Sequence, residues 1–295
     1  MITIAIPTYN RGTILVETIE RLLQLTPRAE AIVIADQTTT HPPGVEDRLR
    51  AWHDAQVIRW LRLPEPSIPK AMNDALEAAT TPLVLFFDDD IVPDAGIAGA
   101  HVDAHGDAGI WAVAGQVLQP GEEPRPSTGE GLHFRFNSTA GAFVNNVMAG
   151  NLSVKRERAL QIGGFDENFV GAAYRFETDF AMRVTAAGGK IWFEPRATLR
   201  HLQLATGGLR SYGDHRTAAV PAHSAGDYYF ALNHMPRFWS YAARRLVQNV
   251  ATRYLAAHPW HIPGKLIGEW RGLRLARALH RKGRRLRAVA PGKPS

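Results

Sequence analysis

The chain has 295 residues, enough to bury a sizeable core in one large α/β domain with an appendage or in two small domains. It has no cysteine, which excludes disulfides, thiolate zinc sites and cysteine nucleophiles. The net charge of +6 is uneven: residues 236–295 carry 14 of the 34 Lys and Arg but 1 of the 28 acids, a balance of +13, which leaves 20 basic and 27 acidic residues, or −7, in residues 1–235. Such asymmetry favours a polyanionic partner for the tail.

The beginning of the chain predicts a core strand and no targeting signal. The opening Met-Ile-Thr-Ile-Ala-Ile-Pro has no basic region before its apolar residues, so we expect no signal peptide. No run of about eighteen uncharged apolar residues occurs, so we expect no transmembrane helix. With the absence of cysteine, these features favour a cytoplasmic protein.

The first ninety residues alternate between predicted strands and predicted helices. The strands cover residues 2–8, 31–36, 57–63 and 81–87, and the helices between them lie near residues 14–23, 45–56 and 70–79. Strands that alternate with helices of this length form right-handed βαβ units and a mainly parallel sheet flanked by helices. The pattern predicts a Rossmann-like, nucleotide-binding half.

The most informative stretch is the apolar run Leu83-Val84-Leu85-Phe86-Phe87, which leads into Asp88-Asp89-Asp90. The run predicts a strand buried on both faces, so the three carboxylates lie at its C-terminal end, where ligands of open α/β sheets bind. Adjacent like charges repel, and a divalent cation that carries phosphate oxygens would offset that repulsion. A solvated acidic turn is the alternative.

The second part of the chain predicts shorter elements and more loops. We expect a helix over 94–105, a strand over 110–118, a loop over 119–131, and a strand and turn under the sheet edge over 143–154. A short helix should end at Gly163-Gly164, a further helix should run from Glu177 to Gly188, and a short strand over 190–194 should precede His201 and a glycine loop at 206–210. We predict a catalytic domain over 1–224, divided into a nucleotide-binding half (1–93) and an acceptor half (94–224), and a helical extension over 225–295.

The extension predicts two basic helices, at 241–258 and 264–288, with tryptophan among their apolar residues. Basic amphipathic helices with tryptophan bind anionic membrane surfaces. Two alternatives stay open: the helices pack on the catalytic domain, or they form a dimer contact. Nucleic acid is a less suitable partner, because the acidic remainder of the chain offers it no matching surface.

A set of short motifs resembles, in number and order, the inverting glycosyltransferases of family 2, which have the GT-A fold. The resemblance covers about residues 1–210, and its motifs are Ile6-Pro7-Thr8-Tyr9-Asn10-Arg11, Asp36, Asn73, Asp88-Asp89-Asp90, Ala149-Gly150-Asn151, Gly163-Gly164-Phe165-Asp166-Glu167, Glu177-Thr178-Asp179 with Arg183, and His201 with Gly207-Gly208-Leu209-Arg210.

The resemblance implies sites for a nucleotide-sugar donor, an acceptor and a divalent metal, Mg²⁺ or Mn²⁺. The metal would be bound by Asp90, Asp88 and His201, and the acceptor or sugar by Gly150, Asn151 and Asp166. The donor residues implied are Pro7, Thr8, Tyr9, Asn10, Arg11, Asp36, Lys70, Asn73, Asp88, Asp89 and Arg210. Asp36 could accept a hydrogen bond from N3 of uracil or thymine, or from ribose.

Inversion requires a base that takes the proton from the attacking hydroxyl. Counted back from Arg183, the acidic pair of the family falls on Phe176 and Glu177, so the first acid is replaced here and Glu177 occupies the base position. Asp179 is the alternative base. It could instead pair with Arg183 one helical turn away, and we favour that structural role for Asp179.

These features predict an enzyme that moves one sugar from a UDP- or dTDP-sugar to an acceptor hydroxyl of a glycan or lipid-linked acceptor, in cell-envelope assembly. A single transfer is expected because the tail lacks the Gln-x-x-Arg-Trp signature of processive members of the family. The tail suggests work at the inner membrane face. A nucleotidyltransferase is the alternative enzyme class, although the first strand is followed only by Asn10-Arg11-Gly12 and not by a basic, glycine-rich triphosphate loop.

Overall fold

The computed structural model describes residues 1–126, 131, 134–204, 206–209 and 219–288. The N-terminal half alternates strands and helices as the sequence predicts. Its elements are β1 (Ile2–Thr8), α1 (Thr13–Leu22), β2 (Ala31–Asp36), α2 (Pro43–Asp54), β3 (Arg59–Arg62), α3 (Ile68–Ala78) and β4 (Leu83–Phe87). All pairings among these four strands are parallel, in the order β3-β2-β1-β4.

The second half extends this sheet with strands of both directions. Its elements are β5 (Ile91–Pro93), α4 (Ile97–Ala104), β6 (Ile110–Leu118), β7 (Ala142–Phe143), β8 (Asn151–Lys155), α5 (Arg156–Gln161), α6 (Phe176–Ala186) and β9 (Lys190–His201). The sheet continues β4-β8-β6-β9-β5, and β7 pairs with β9. β8 runs antiparallel to both of its neighbours, whereas β6 and β9 are parallel to each other. The fold is therefore mixed α/β, with a large central sheet flanked by helices.

Two predictions about this second half are wrong. The 143–154 segment was expected under the sheet edge, but Asn151–Lys155 forms the central strand between β4 and β6. The strand predicted over 190–194 continues to His201, because its pairing with β6 resumes at Thr198 after an irregularity around Pro195. A proline normally interrupts strand pairing, and here the ladder shifts its register instead. His201 is consequently the last residue of β9 and not a loop residue.

The C-terminal extension contains more elements than the two predicted helices. They are α7 (Ser224–His234), α8 (Phe238–Val250), α9 (Arg253–Ala257), a 3₁₀ turn (Pro259–His261) and α10 (Ile262–Arg281). The predicted first helix is broken at Ala251 and again before Pro259, where the chain cannot continue a helical hydrogen-bond ladder. The helix predicted to begin at Gly264 starts at Ile262 and ends at Arg281.

The extension packs on the part of the chain that contains the sheet. Helix α7 is buried along most of its length and lies against α10, and the segment after α10 runs beside residues 163–167. There the Glu167 N–H donates to the Arg285 carbonyl, and the Arg287 N–H donates to the Gly163 carbonyl. Of the helices in the described ranges, none is both long and apolar enough to cross a bilayer.

Candidate active site

The site forms where β1 and β4 end at the same edge of the sheet. Because these strands are parallel, their carboxyl ends bring the Thr8-to-Arg11 segment beside the acidic triplet. The Thr8 hydroxyl donates to Asp89 Oδ2 at 2.7 Å, and Arg11 Nε donates to Asp89 Oδ1 at 2.8 Å. These two hydrogen bonds fix the position of the Asp89 carboxylate. Burial raises the pKa of Asp89 to about 7, although the charge of Arg11 opposes this effect.

Asp90 is buried beneath the site and faces His201. His201 Nε2 lies 3.1 Å from Asp90 Oδ1, the Leu204 N–H donates to Asp90 Oδ2 at 3.1 Å, and an Arg11 nitrogen lies 3.3 Å from Oδ2. Burial alone would raise the pKa of Asp90, but the hydrogen bond and charge of His201, with Arg11, hold it below its usual value. Burial alone would lower the pKa of His201, but the Asp90 and Asp88 carboxylates raise it above its usual value.

Gln119 sets the orientation of the His201 ring. The Gln119 Oε1 atom lies 3.0 Å from His201 Nδ1 and accepts a second hydrogen bond from Gln203 Nε2 at 2.7 Å. Since this oxygen can only accept, Nδ1 carries a proton, and Nε2 points toward the carboxylates. His201 Nε2 lies 3.7 Å from Asp88 Oδ2.

The oxygen and imidazole donors of Asp88, Asp90 and His201 fit a divalent metal such as Mn²⁺ or Mg²⁺. Asp88 leaves 45% of its side chain exposed, and His201 aims a ring nitrogen at both carboxylates. Within the described part of the chain, no three His, Asp or Glu side chains form a ready metal cage. Asp88, Asp90 and His201 are therefore candidate metal ligands and not a preformed metal site.

Two cavities meet at this edge of the sheet. The larger, of about 530 Å³, is bounded by the acidic triplet, by Arg11 and by the loop around Gly207. The second, of about 400 Å³, extends toward α7 and is bounded by Met148, Tyr174 and Arg175. Four residues line both cavities: Asp88, Glu177, His201 and Gln203.

Glu177 and Asp179 have different environments, although they are two residues apart on α6. Glu177 lines both cavities, and its Oε1 accepts a hydrogen bond from the Ala149 N–H at 3.0 Å. Asp179 is completely buried, and its Oδ2 accepts from Arg183 Nε at 2.8 Å, which confirms the predicted pair across one helical turn.

Asp179 also binds two groups of the extension. Its Oδ1 lies 2.7 Å from His234 Nε2 and accepts a hydrogen bond from Arg284. Burial would raise the pKa of Asp179, but His234, Arg183 and Arg284 lower it to about 2. Asp179 therefore joins α6 to the extension and lines neither cavity.

Several residues implied as donor ligands lie outside the cavity walls. Asp36 is completely buried and accepts hydrogen bonds from the Thr38 N–H at 2.8 Å and Trp60 Nε1 at 2.8 Å, and it lies 2.6 Å from His41 Nε2. Lys70 lies 3.6 Å from Glu65. Asn10 is exposed and lines neither cavity. Its N–H donates to Thr38 Oγ1.

Asn73, implied as a donor residue, and the implied acceptor residues Asn151 and Asp166 support the site through contacts inside the protein. Asn73 bonds the backbone of Phe165 and so holds α3 to the 163–167 loop. Asn151 donates to the carbonyls of Gln116 and Ala197, and Asp166 accepts from Tyr229 Oη at 2.8 Å. The side chains of Asn73, Asn151 and Asp166 are buried, and none of them is among the described residues that line these two cavities.

The glycines of the site provide close backbone approach. A Cβ at Gly150 would lie 2.2 Å from Asp88 Oδ2. Only glycine therefore lets the Asp88 carboxylate lie this close to the backbone just before β8. Gly207 has a φ of 77°, and a Cβ there would lie 2.4 Å from the Asn10 carbonyl oxygen. Pro7 and Tyr9, which the resemblance implies as donor residues, line the larger cavity, whereas Arg210 lies outside the described residues.

Sequence reasoning missed the polar and apolar residues that complete the walls. Gln37, Ile68 and Met72 bound the larger cavity, and Gln119 and His223 bound the second. Gln119 follows a strand predicted correctly over 110–118, so its place at a carboxyl end was the available signal. Ile68 and Met72 are spaced as core residues of a helix, and no signal in the sequence separates them from the core.

Comparison with known proteins now defines the family. The model of glycosyl transferase family 2 matches residues 3–179, which is more than half of the chain. The chain belongs to glycosyl transferase family 2. It is 24% identical over 208 residues to the pre-mycofactocin glycosyltransferases of two Mycobacterium tuberculosis strains, CDC 1551 / Oshkosh and H37Rv. That alignment covers 68% of this chain and 42% of each relative, so the match spans less than half the length of these proteins.

Solved structures of glycosyltransferases share the fold. A mannosyltransferase from Pyrobaculum calidifontis, in complex with GDP-Man and Mn²⁺, has a TM-score of 0.56 at 18% identity and matches 96% of this chain and 79% of its own. GalNAc-T7 with UDP, GalNAc and Mn²⁺ has a TM-score of 0.64 at 12% identity and matches 97% of this chain and 58% of its own. S. aureus TarS has a TM-score of 0.52 at 14% identity and matches 69% of this chain and 37% of its own. These similarities confirm the predicted GT-A fold.

Proposed function

We propose that this protein is a metal-dependent inverting glycosyltransferase that moves one sugar from a nucleoside-diphosphate donor to an acceptor hydroxyl. Membership in the family supports glycosyl transfer in general. The observation that carries the finer proposal is that Glu177 and Asp88 line both cavities, so a base and the acidic triplet meet at one junction. A donor in the larger cavity and an acceptor in the smaller one would bring their reacting atoms together there.

In the proposed reaction, the acceptor oxygen attacks the anomeric carbon while the bond from that carbon to the β-phosphate oxygen breaks. The Glu177 carboxylate takes the proton of the acceptor hydroxyl, and the nucleoside diphosphate leaves with the bonding electron pair. The Ala149 N–H holds Glu177 Oε1, so the carboxylate has a fixed orientation at the junction. Attack from the face opposite the leaving group inverts the anomeric configuration.

Negative charge that develops on the leaving diphosphate needs compensation from the same site. Arg11 lines the larger cavity and is held in place by Asp89 and by the Thr206 carbonyl. A divalent metal bound by Asp90, Asp88 and His201 would supply further Lewis-acid stabilisation of the diphosphate. Gln119 would keep the His201 Nε2 available by holding a proton on Nδ1.

We propose UDP or dTDP as the carrier, but Asp36, the candidate ligand of the base N3 atom, is buried and bonded to other groups. Gln37, Ile68 and Met72 line the larger cavity and are candidate contacts for the base. Since one structural neighbour binds GDP-Man and another binds UDP, GDP-sugars belong in the same test.

For the acceptor, we propose a glycan or a lipid-linked saccharide of the cell envelope. The second cavity combines the apolar walls of Phe136 and Met148 with the polar side chains of Asn146 and His223, which suits a molecule with both characters. We also propose that the enzyme works in the cytoplasm at the inner membrane face, with residues 236–295 as the contact. Transfer of a single sugar remains the prediction for each encounter.

Slow hydrolysis of the donor by water tests the proposal without knowledge of the acceptor. UDP-, dTDP- and GDP-sugars are incubated with the protein and Mn²⁺, and the released nucleotide is quantified. We expect one class of donor to be cleaved, with the anomer released first, observed by NMR, inverted relative to the donor. Asp90→Asn and Glu177→Gln should each lower the rate. Cleavage that neither substitution affects, or release of the anomer with retained configuration, would contradict the proposal.

A further inference from the structure

The basic residues of the extension fall into two groups with different partners. One group neutralises acids of the protein itself, all of them buried except Asp74: Arg245 contacts Asp227 and Glu269, Arg284 contacts Asp166 and Asp179, and Arg287 contacts Asp74 and Glu167. These pairs attach the extension to the catalytic part of the chain. These pairs involve only three of the fourteen Lys and Arg in residues 236–295.

The second group lies on the outer face of α10. Residues 268, 269, 272 and 276 are buried, whereas Ile267, Trp270, Arg274 and Arg277 are exposed. The exposed four are three or four residues apart, so they form one stripe along the helix. The Trp270 ring is 56% exposed, and the Arg274 guanidinium lies over it at 4.7 Å from the ring centroid.

Helix α8 continues this surface. Trp239 is 63% exposed and Val247 is 62% exposed, two helical turns apart on the same side of the helix. The Arg277 guanidinium lies 5.6 Å from the centroid of the Trp239 ring, which joins the outer faces of α8 and α10. We call this surface, made of Trp239, Val247, Ile267, Trp270, Arg274 and Arg277, the tryptophan face.

The chemistry of the tryptophan face matches an anionic lipid surface. Its aromatic and aliphatic side chains are those that enter the headgroup region, and its arginines match negative headgroups. The one acid of residues 236–295, Glu269, is buried against α7 and bonded to Tyr228 and Arg245, so it does not oppose that charge. We infer that the tryptophan face binds anionic membranes, while Arg245, Arg284 and Arg287 attach the extension to its own domain.

The position of α8 relates this surface to the acceptor cavity. The inner side of α8 contacts Asp227 through Tyr241 and Arg245, and Asp227 Oδ1 accepts from Arg175, which lines the second cavity. Contacts through Asp227 on α7 thus connect α8, whose exposed side carries Trp239 and Val247, to the wall of the second cavity. This inference rests on the proposed function only in assigning the membrane as the source of a lipid-linked acceptor.

Vesicle sedimentation of the full chain, without donor, tests the inference. The probes are phosphatidylcholine vesicles and vesicles that contain about one third phosphatidylglycerol. We expect binding to the anionic vesicles and little to the neutral ones. Trp239→Ser with Trp270→Ser should weaken anionic binding by about tenfold or more, and Arg274→Gln with Arg277→Gln by roughly fivefold per arginine.

Matched controls use equally exposed residues of the catalytic part. Phe143→Ser changes an aromatic side chain that is 60% exposed, and Arg48→Gln with Arg50→Gln removes two exposed charges of α2. Both controls should leave vesicle binding unchanged. Thermal unfolding and nucleotide binding of each variant, measured separately, show whether it is folded and whether the donor site works, so failure of the proposed function is distinguished from failure of this inference.

Three results would overturn the inference. These are equal binding to neutral and anionic vesicles, anionic binding that the Trp239 and Trp270 substitutions leave unchanged, and binding of RNA or DNA in place of vesicles. The last result would assign the face to nucleic acid, and its loss in the Arg274 and Arg277 variant would locate that contact.

Discussion

At the level of single residues, Glu177 is the side chain on which the proposed chemistry depends. Glu177→Gln keeps the size of the side chain and its contact with the Ala149 N–H but removes the ability to accept a proton. We expect kcat to fall by about 10²–10⁴, with nucleotide affinity unchanged, because general-base catalysis contributes on that order. Steady-state kinetics with calorimetry of nucleotide binding measures both effects. A variant with full activity would exclude Glu177 as the base.

Asp179→Asn should instead lower stability more than activity, because this buried carboxylate binds Arg183, His234 and Arg284 and lines neither of the two cavities described at the site. Without the negative charge of Asp179, the cations around it lose their counter-charge, so we expect the free energy of unfolding at neutral pH to fall by about 3 kcal/mol. Urea denaturation measures this change. If Asp179→Asn instead removed activity from protein of unchanged stability, Asp179 would be the better candidate for the base.

The pH dependence of stability gives a second test of Asp179. Its pKa in the folded protein is about 2, below the ordinary value of 3.8, so its contribution is complete above pH 3.8 and is lost as the pH falls toward 2. From about pH 5 to pH 3, the wild type should lose about 1 kcal/mol more stability than Asp179→Asn does. Urea denaturation curves across this range measure the difference. Parallel losses in the two proteins would mean that the folded pKa is not depressed.

At the level of secondary-structure elements, the segment after α10 braces the helix that carries Glu177. Arg284 bonds Asp179 on α6, and the Arg285 N–H donates to Asp166 Oδ1 at 3.0 Å. Arg284→Ala should therefore lower the free energy of unfolding by about 3 kcal/mol, by the same unpaired-charge effect. Arg281→Ala, an exposed change three residues earlier, is the control. If both variants were equally stable in urea, the segment after α10 would not stabilise α6.

The strands and helices of the N-terminal half were predictable because their signals are local. Apolar runs of four to seven residues and amphipathic helices gave β1, β2, β4 and α3 to within a few residues. Strand neighbours are not local: no periodicity shows that Asn151–Lys155 inserts between β4 and β6, or that β9 continues past Pro195 to place His201 at the site.

The candidate site was predictable to the extent that its residues follow strand ends. The acidic triplet, Arg11 and His201 come together as the parallel topology requires. Asp36 also follows a strand, but its nearest donors, Trp60 and His41, hold it inside the protein. Sequence position therefore indicated the correct edge of the sheet without distinguishing a side chain that faces the cavity from one that is buried.

For the whole molecule, the charge asymmetry has an internal explanation as well as an external one. Buried acids of residues 1–235 pair with arginines of the extension, and the side chains of Asp166, Asp179 and Asp227 are at most 3% exposed. Because salt screens buried pairs weakly, we expect the urea midpoint to change little when salt is raised from about 0.05 M to about 0.5 M. A large fall in the midpoint would instead indicate diffuse attraction between an acidic domain and a basic tail.

We propose above all that the cavity beside the acidic triplet binds a nucleoside-diphosphate donor with a divalent metal. Calorimetric titration of UDP, dTDP and GDP into the protein, with Mn²⁺ and with EDTA, tests it most directly. We predict that one nucleotide binds with micromolar affinity in Mn²⁺, that EDTA abolishes binding, and that Asp90→Asn weakens it by about 10-fold or more, as loss of a metal ligand should. Binding of no nucleotide with metal present, or binding indifferent to both EDTA and Asp90→Asn, would contradict the claim.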